Sequence, residues 1–352
     1  MGNWQDKVRR VVPYVPGEQP QRPVIKLNTN ENPYPPSPAA VAVLQAADGA
    51  AFRKYPDTDA TELVNAIADV YGISADQVFV GVGSDDVLGM SFLTYFASDK
   101  PVLFPDITYS FYDVWAELFR IPYRQIPLAE DFSIRTEDYF ADNGGIVIAN
   151  PNAPTSLALP TSEIRRIIEA NRDSVVIVDE AYIDFGGESV LPMISEFDNL
   201  LVVQTFSKSR SGAGMRVGFA MGSKALIDAL KAVKFAYNSY TMSTPMIQAG
   251  AAAMRDVEYM KKTTAAVVAT REAFRPRLEE LGFTVLPSAT NFYFATHAKV
   301  PAEVIFTELK KRDIFVRFWK KPRIGNYLRI TVGTDAEMEA LVSALTEILK
   351  AY

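Results

Sequence analysis

The chain lacks the residues on which several kinds of functional site depend. It contains no cysteine and a single histidine, His297, among 352 residues. Disulfides, iron–sulfur ligation and an ordinary zinc site are therefore excluded, and we expect no metal. Any difficult chemistry must then rely on carboxylates or on an organic cofactor.

Long apolar runs and an excess of positive charge are missing as well. No apolar run is long enough to span a bilayer, and residues 1–7 are mostly polar or charged. The net charge of −6 argues against a broad nucleic-acid surface but leaves room for a local basic pocket. We expect a cytoplasmic protein that binds small molecules rather than nucleic acid or membrane.

Apolar strand-like runs alternate with helical patterns from about residue 60 to residue 255. This alternation predicts an α/β fold with a mostly parallel central sheet and helices on both faces. Asp59 is the predicted N-cap of the first of these helices, which Gly72 should end. The predicted strands are 78–82, 102–104, 146–149, 175–178, 200–205 and 217–220, and further helices are predicted near 108–119, 162–171 and 223–235.

A chain of 352 residues exceeds the usual size of one domain. From about residue 257 a long charged helix precedes shorter strands and helices, which indicates a smaller α+β domain at 257–352. Eight prolines between Pro13 and Pro38 exclude a regular helix there. We interpret 1–38 as an arm that joins the small domain, and 39–256 as the large domain.

Two of the predicted strands end in segments that could contact a ligand, because open α/β sheets bind ligands at the carboxyl ends of their strands. Gly83-Ser84-Asp85-Asp86 could offer free amides to a phosphate, although a simple N-cap by Ser84 or Asp85 is an alternative. Neither a Rossmann fingerprint nor a Walker A motif is present. Asn150 to Ser156 could supply an amide donor to a ring oxygen or form an ordinary turn.

Two further strand ends carry charged residues. Asp179 and Glu180 follow the strand at 175–178 and could hold magnesium, but the missing phosphate loop disfavours that reading. Lys208 follows the strand at 200–205, and Arg216 lies eight residues further on. A lysine can form a Schiff base with an aldehyde, an arginine can bind a phosphate, and an aspartate can keep a pyridine nitrogen protonated. Lys208, Arg216 and Asp179 could therefore hold pyridoxal phosphate.

A solvated surface charge is the usual state of a lysine, and that alternative stays open for Lys208 taken alone. Because it follows a buried-looking strand, desolvation and nearby guanidinium groups should lower its pKa and supply the neutral amine that imine chemistry needs. The order of these motifs on successive strand ends favours the cofactor.

These motifs resemble those of the fold-type I pyridoxal-phosphate aminotransferases over nearly the whole chain. The segments that carry the resemblance are Asn150–Ser156, Asp179–Tyr182, Ser207–Lys208 and Arg216–Gly218. Others are similar to those of the histidinol-phosphate aminotransferase family, namely Pro13–Gly17, Leu27–Pro33, Lys54–Asp57, Thr108–Ser110 and Tyr327–Thr334.

The resemblance implies pyridoxal 5'-phosphate as cofactor and a role for each matching position. Lys208 would bond to the cofactor, Asp179 would contact its pyridine nitrogen, and Tyr182 would donate to its phenolic oxygen. The resemblance also implies that the cofactor ring and phosphate are surrounded by Tyr109, Ser84, Asp85, Ser207 and Arg216. It also implies a homodimer in which Tyr55 reaches the phosphate in the neighbouring subunit. Five residues would face the substrate by the same resemblance: Tyr14, Asn32, Asn291, Arg317 and Arg329.

One departure from the family concerns the phenolic oxygen. Ala153-Pro-Thr-Ser156 stands where the family often has Asn-Pro-Thr-Gly, so the usual amide partner is missing. We expect Asn152 to substitute for it.

The implied reaction transfers the amino group of L-histidinol phosphate to 2-oxoglutarate, giving imidazole acetol phosphate and glutamate in histidine biosynthesis. Arg329 and Arg317 would bind both the phosphate and the carboxylate, although Arg317 could be only a surface cation. The alternatives are an aromatic amino acid aminotransferase, a lyase resembling threonine-phosphate decarboxylase, and a non-enzymatic regulator, which would normally carry a DNA-binding extension.

Overall fold

Buried apolar runs form the strands and amphipathic runs form the helices within residues 3–352, the part of the chain that the computed structural model describes. The strands are β1 (Ile25–Lys26), β2 (Val78–Gly81), β3 (Val102–Pro105), β4 (Tyr123–Ile126), β5 (Gly145–Ala149), β6 (Val176–Asp179), β7 (Leu200–Thr205), β8 (Gly218–Gly222), β9 (Phe283–Val285), β10 (Phe292–His297), β11 (Ile314–Phe315), β12 (Arg317–Phe318) and β13 (Leu328–Thr331). The α-helices are α1 (Pro38–Gln45), α2 (Thr61–Tyr71), α3 (Ser84–Tyr95), α4 (Tyr112–Phe119), α5 (Thr161–Ala170), α6 (Lys224–Tyr237), α7 (Thr244–Arg255), α8 (Val257–Glu280), α9 (Ala302–Lys311) and α10 (Asp335–Leu349).

The larger sheet has the strand order β2-β8-β7-β6-β5-β3-β4, and every pairing is parallel except those of β8. The predicted α/β fold with a mostly parallel sheet is confirmed, and six of its strands lie where the sequence predicts them. The edge strand β4 escapes prediction because its sequence, Tyr-Arg-Gln-Ile, is half polar and exposes two residues. A polar edge strand does not produce the continuous apolar run of a central one.

Helices cover both faces of this sheet because its central strands bury alternate residues on opposite sides. On one face Ile148 and Val178 pack in a cluster with residues of α2, α5 and α7. On the other face Val147 and Ile177 pack with residues of α3, α4 and α6. The carboxyl ends of β5, β6 and β7 therefore lie at one edge, between two helical layers.

The start of α2 differs from the prediction. Ala60, at φ 50°, occupies the N-cap position instead of Asp59, and no side chain caps it there. Asp57, two residues before Asp59, serves the helix instead, since its Oδ2 accepts from the Thr61 amide at 2.8 Å. Gly72 ends the helix in the left-handed conformation at φ 66°, as predicted.

A second sheet, with the order β12-β13-β10-β9, is antiparallel throughout. It packs in one core with residues of α8, α9 and α10. The proline-rich arm contains no α-helix before Pro38 in the described range, and its strand β1 pairs in parallel with β11. This pairing ties the arm to the smaller unit, while the limits 1–38, 39–256 and 257–352 stay predictions. Among residues 3–352, no helix is long and apolar enough to cross a membrane.

Candidate active site

A cavity of about 480 Å³ lies at the carboxyl edge of the large sheet. The large sheet and its loops contribute Pro105, Thr108, Tyr109, Ala153, Pro154, Tyr182 and Lys208 to its lining. The arm contributes Tyr14, Gly17, Asn28, Thr29 and Asn30, and the region of the small sheet contributes Arg317, Trp319, Arg323 and Arg329. Three segments that are distant in sequence thus enclose one space.

Lys208 lies three residues past the end of β7 and faces this cavity. Its Nζ donates to the carbonyl oxygen of Thr29 at 3.1 Å and lies 5.7 Å from the centroid of the Tyr182 ring. Burial, followed by the positive charge of Arg329, lowers the pKa of the amine from 10.5 to about 8. The lowered pKa agrees with the sequence prediction and gives the amine an appreciable neutral fraction near physiological pH.

Asp179, the last residue of β6, is 5% exposed. Its carboxylate accepts from the Tyr112 hydroxyl at 2.8 Å and from the Ala181 amide at 3.2 Å. Both partners are neutral, and burial raises the pKa of the carboxyl group to about 6. The group is buried and lacks full charge compensation, so a cation beside it would be stabilised strongly.

The neighbouring Glu180 serves a different purpose. Its carboxylate accepts from the Ser189 hydroxyl at 2.7 Å, the Val190 amide at 2.8 Å and the Gln204 amide at 2.9 Å. None of these partners is shared with Asp179, so the two carboxylates belong to separate hydrogen-bond networks. Residues 3–352 contain no cluster of three or more metal-ligating side chains. The geometry gives no support to the magnesium alternative.

Tyr182 lines the cavity beside Lys208. Its hydroxyl oxygen accepts from Asn30 Nδ2 at 2.9 Å. Its ring packs edge-on against Phe292, with centroids 5.2 Å apart. The arm and the small sheet therefore both fix the position of this tyrosine.

The amino end of α3 is open to an anion. Gly83, at φ 90°, is the N-cap and no side-chain cap is present, so the alternative of a cap by Ser84 or Asp85 is wrong. The amides of the first turn, which begins at Ser84, are left without helical partners. A Cβ on Gly218 would lie 2.2 Å from the Ser84 nitrogen, and one on Gly83 would lie 2.5 Å from Arg216 Nη2. The backbone contact at Gly218 and the φ of 90° at Gly83 both require glycine.

The other residues predicted around the phosphate meet at the same place. Arg216 adopts φ 52°, and its Nη2 lies 3.4 Å from Asp85 Oδ2. Tyr109, which lines the cavity, donates to Asp85 Oδ1 at 2.7 Å. Ser207 accepts from the hydroxyl of Thr205, whose strand partner is Gly218. The predicted phosphate residues are thus neighbours, adjacent to the cavity.

Two arginines face each other on the small sheet, because Arg317 of β12 pairs in register with Arg329 of β13. Arg329 donates through Nη2 to the Asn28 carbonyl at 2.9 Å, while its buried Nε has no partner in the described part of the chain. Arg317 is half-buried and donates to the carbonyls of Val15 and Pro16 at 3.0 and 3.3 Å. Both line the cavity, which disfavours the reading of Arg317 as a plain surface cation.

The structure gives two asparagines other roles than the predicted contact with substrate. Asn32 donates to the Lys208 carbonyl at 3.1 Å and accepts from the Tyr34 amide at 3.0 Å, so it holds the lysine loop. Asn291 donates to the Asn30 carbonyl at 2.9 Å. Neither lines the cavity, because each is used to fix a neighbouring backbone segment. Tyr14 does line the cavity, stacked on Phe111 at 4.2 Å.

The expectation for Asn152 also needs correction. Its Nδ2 donates to the Ile107 carbonyl at 3.0 Å and to the Thr155 hydroxyl at 2.9 Å, which uses both amide hydrogens. Its Oδ1 accepts from Thr108 at 2.7 Å. Asn152 therefore braces the turn and has no hydrogen left to donate to a ring oxygen.

Tyr55 lies apart from the other predicted site residues of this chain. It is 80% exposed and stacks on Tyr240 with centroids 4.4 Å apart. Four residues in or next to the cavity were not predicted from the sequence, namely Thr29, Asn30, Tyr112 and Trp319. Asn30 and Thr29 lie inside the segment 27–33 that carries the family resemblance, which is the one signal that could have drawn attention to them.

The chain is similar to known proteins over almost its whole length. The family model for aminotransferase class I and II matches residues 22–345. The histidinol-phosphate aminotransferase of Lactococcus lactis subsp. cremoris (strain MG1363) is 50% identical over 349 residues, covering 99% of this chain and 98% of its own length. Histidinol-phosphate aminotransferase 1 of Bordetella parapertussis is 53% identical, with 98% of each chain covered.

Solved structures share the fold as well. The histidinol-phosphate aminotransferase of Sinorhizobium meliloti in complex with pyridoxal-5'-phosphate superimposes with a TM-score of 0.86 at 25% identity, covering 94% of this chain and 92% of that chain. The L-threonine-O-3-phosphate decarboxylase of Porphyromonas gingivalis reaches a TM-score of 0.80 at 20% identity, covering 93% of this chain and all of its own. The fold is thus shared by different reactions, and the site must decide between them.

Proposed function

The chain belongs to the class I and II aminotransferases, and from this premise we propose that it transfers the amino group of L-histidinol phosphate to 2-oxoglutarate with pyridoxal 5'-phosphate as cofactor. The products are imidazole acetol phosphate and glutamate, and the pathway is histidine biosynthesis. Relatives at 50–53% identity over nearly their full length carry the name of this activity. The observation that carries the proposal is that Lys208, Tyr182, Arg317 and Arg329 line one cavity.

The residues present fit pyridoxal phosphate. The uncapped start of α3, together with Arg216, offers amide hydrogens and a guanidinium group for a phosphate. Asp179 is a buried carboxylate whose hydrogen-bond partners are neutral, which suits a protonated pyridine nitrogen. Lys208 and Tyr182 reach the cavity from neighbouring strand ends, where the amine and the hydroxyl would hold the aldehyde and phenolic positions.

When bound, the cofactor supplies an electron-withdrawing ring that stabilises negative charge on the substrate carbon. Asp179 would hold the proton on the pyridine nitrogen that makes the ring withdraw electrons. Lys208 Nζ, with its pKa lowered to about 8, can accept a proton from that carbon and return one. The Thr29 carbonyl orients the amine toward the cavity by accepting from it at 3.1 Å.

The two arginines account for two substrates with different anions. Arg329 and Arg317 face each other across β13 and β12, so a phosphate or a carboxylate between them would receive bidentate donors. The Nε of Arg329, which has no hydrogen-bond partner among residues 3–352, provides an additional donor. We propose that the phosphate of histidinol phosphate and a carboxylate of 2-oxoglutarate use this same site in turn.

We propose that the active unit is a homodimer in which Tyr55 reaches the cofactor phosphate of the neighbouring subunit. The support is that Tyr55 is 80% exposed and does not line the cavity of its own chain. Tyr240, which contacts Tyr55, and the large side chains of Phe52 and Tyr237 are exposed as well, and exposed apolar groups of this kind suit an interface with a second subunit. A cytoplasmic location stays a prediction.

A single-turnover absorbance experiment tests the function. The protein loaded with pyridoxal phosphate is mixed with L-histidinol phosphate in the absence of any oxo acid, and in parallel with phenylalanine or threonine phosphate. We expect histidinol phosphate alone to convert the cofactor rapidly to its amine form. Faster conversion by phenylalanine would indicate an aromatic aminotransferase, and release of carbon dioxide from threonine phosphate would indicate a lyase. A protein that binds no cofactor would refute the proposal.

A further inference from the structure

Within the described residues, the loop that follows β5 offers no side-chain amide to the cavity. Both amide hydrogens of Asn152 are used inside the loop, and the residue that lines the cavity beside it is Ala153. Tyr182 lines the cavity beside Lys208, and its hydroxyl can take the place of the missing amide as a hydrogen-bond donor. The direction of its hydrogen depends on the contact that its oxygen makes with Asn30, at 2.9 Å.

Asn30 is held rigidly from several sides. It is 1% exposed and adopts the left-handed conformation at φ 57°. Its backbone amide donates to Thr331 Oγ1 at 3.0 Å, and its carbonyl accepts from Asn291 Nδ2 at 2.9 Å. A non-glycine residue in this backbone conformation persists only where surrounding contacts enforce it, as they do here.

The hydrogen bonds also determine which end of the Asn30 amide faces Tyr182. Thr331 Oγ1 accepts from the Asn30 backbone, so its own hydrogen needs an acceptor, and within residues 3–352 that acceptor is Asn30 Oδ1 at 3.1 Å. If the amide were reversed, its NH₂ group would face Thr331 and the threonine hydrogen would have no acceptor. Asn30 Nδ2 must therefore face Tyr182 and donate to its oxygen.

The hydroxyl of Tyr182 consequently cannot donate to Asn30. In the described part of the chain it acts only as an acceptor, so its hydrogen is free to point into the cavity. A donor that itself accepts a hydrogen bond is polarised and donates more strongly. We propose that Asn30 is a positioning residue that directs and strengthens the hydrogen bond from Tyr182 to the phenolic oxygen of the cofactor, an inference that rests on the proposed function.

The test is the pH at which the visible absorption band of the loaded protein changes, measured for wild type, Asn30→Ala, Tyr182→Phe and the double variant. A donor to the phenolic oxygen favours the deprotonated form, so removing it should raise the midpoint. We expect Tyr182→Phe to raise it by about one pH unit, the size of one hydrogen bond. Asn30→Ala should raise it by a smaller amount, roughly 0.1 to 0.3 units, because it removes only the cooperative strengthening of that bond. The double variant should match Tyr182→Phe alone, because Asn30 acts only through the tyrosine.

Asn30→Asp sharpens the test, because a carboxylate at this position would accept the hydrogen of Tyr182 and draw it out of the cavity. Its midpoint should rise as far as that of Tyr182→Phe. Asn326→Ala is the matched control, since Asn326 does not line the cavity and its amide donates to the Thr296 hydroxyl at 3.1 Å, and it should leave the midpoint unchanged. Should Asn30→Ala not fold, Thr331→Val removes the hydroxyl that orients the amide and should also raise the midpoint.

Shifts from Asn30→Ala and Tyr182→Phe that add in the double variant would overturn the inference, as would an unchanged midpoint in every folded variant at Asn30 and Thr331. Such results would leave the proposed function intact. Only a wild-type protein that fails to develop a visible band with pyridoxal phosphate would count against the function itself.

Discussion

The two sides of the cavity are built in different ways. Its floor comprises Tyr182 and Lys208, which line the cavity, together with the buried Asp179 at the end of β6. Its wall consists of Thr29, Asn30, Arg317 and Arg329, which come from the arm and the small antiparallel sheet. The floor is fixed by a continuous sheet, whereas the wall is assembled from segments far apart in sequence: Asn30 and Thr331 are separated by 301 residues.

The difference extends to the chemistry of the two sides. On the floor, burial raises the pKa of Asp179 to about 6 and lowers that of Lys208 to about 8, so both groups can exchange protons near neutral pH. On the wall, Arg329 stays a cation and retains an unused donor. We therefore expect damage to the floor to stop turnover, and damage to the wall to weaken binding of the anionic substrates.

Replacing Lys208 should have the largest effect. Lys208→Ala removes the group that moves the proton, and general acid–base groups contribute about 10²–10⁴-fold to rate. We expect turnover of histidinol phosphate with 2-oxoglutarate to fall at least ~1,000-fold and the lysine-dependent visible band to disappear. Lys224→Ala, at a surface pair with Asp228, is the control and should behave as wild type. Activity at the wild-type level in Lys208→Ala would contradict the assignment of the floor.

Burial of Asp179 destabilises the folded protein when no cofactor is bound. Its folded pKa of about 6 exceeds its ordinary value of 3.8, so the native state holds a proton that the unfolded chain has already lost between these pH values. Stability is therefore lost as pH rises from about 4 through about 6. The full loss corresponds to about 3 kcal/mol.

Asp179→Asn should therefore stabilise the cofactor-free protein by up to about 3 kcal/mol at pH 8 and by little at pH 4. The same variant should bind pyridoxal phosphate more weakly, because a neutral amide cannot hold the pyridine proton. Denaturant unfolding at the two pH values measures the first effect, and a cofactor titration measures the second. The exposed Asp99→Asn is the control. A variant that is less stable at pH 8 would show that the tyrosine and backbone hydrogen bonds outweigh the burial.

Replacing Arg329 tests whether the wall binds the anionic groups of both substrates. Its removal deletes a charged donor, and such hydrogen bonds are worth about 1.5–3 kcal/mol, so Arg329→Ala should raise KM about 10- to 100-fold for both substrates. Arg317→Ala should have a smaller effect, because Arg317 already donates to the carbonyls of Val15 and Pro16. The exposed Arg312→Ala, which removes a pair with Glu308, is the control. An increase in KM for only one substrate would mean that the anion site is not shared.

The sequence predicts the floor much better than the wall. The buried strands β5, β6 and β7 are continuous apolar runs, and a residue that follows such a run must lie at the carboxyl edge of the sheet. This local rule was enough to bring Lys208 and Asp179 together. It needs no knowledge of contacts between distant segments.

The wall depends on such contacts. Asn32 and Asn30 are two residues apart in one motif, and sequence reasoning chose Asn32 for the cavity. The structure turns Asn30 inward through its left-handed backbone and its contacts with Thr331, and turns Asn32 toward the Lys208 carbonyl. Likewise, the sequence cannot show that Thr155 and Ile107 use both amide hydrogens of Asn152.

Substitutions at Ser156, where the loop after β5 contacts the loop between β9 and β10, should have the smallest effect, and that effect should be on folding stability. Ser156 is buried at φ 66°, its Oγ donates to the Pro287 carbonyl at 2.9 Å, and its carbonyl accepts from the Ala289 amide at 3.0 Å.

Ser156→Ala loses the hydroxyl bond and keeps the strained backbone, so we expect a loss of about 1 kcal/mol. Ser156→Gly loses the same bond but relieves the left-handed strain, so its stability should lie within about 0.5 kcal/mol of wild type. Thermal unfolding of the cofactor-free proteins, with a difference of about 2 °C between the two variants, measures this. Equal stability of the alanine and glycine variants would show that the backbone at Ser156 carries no strain.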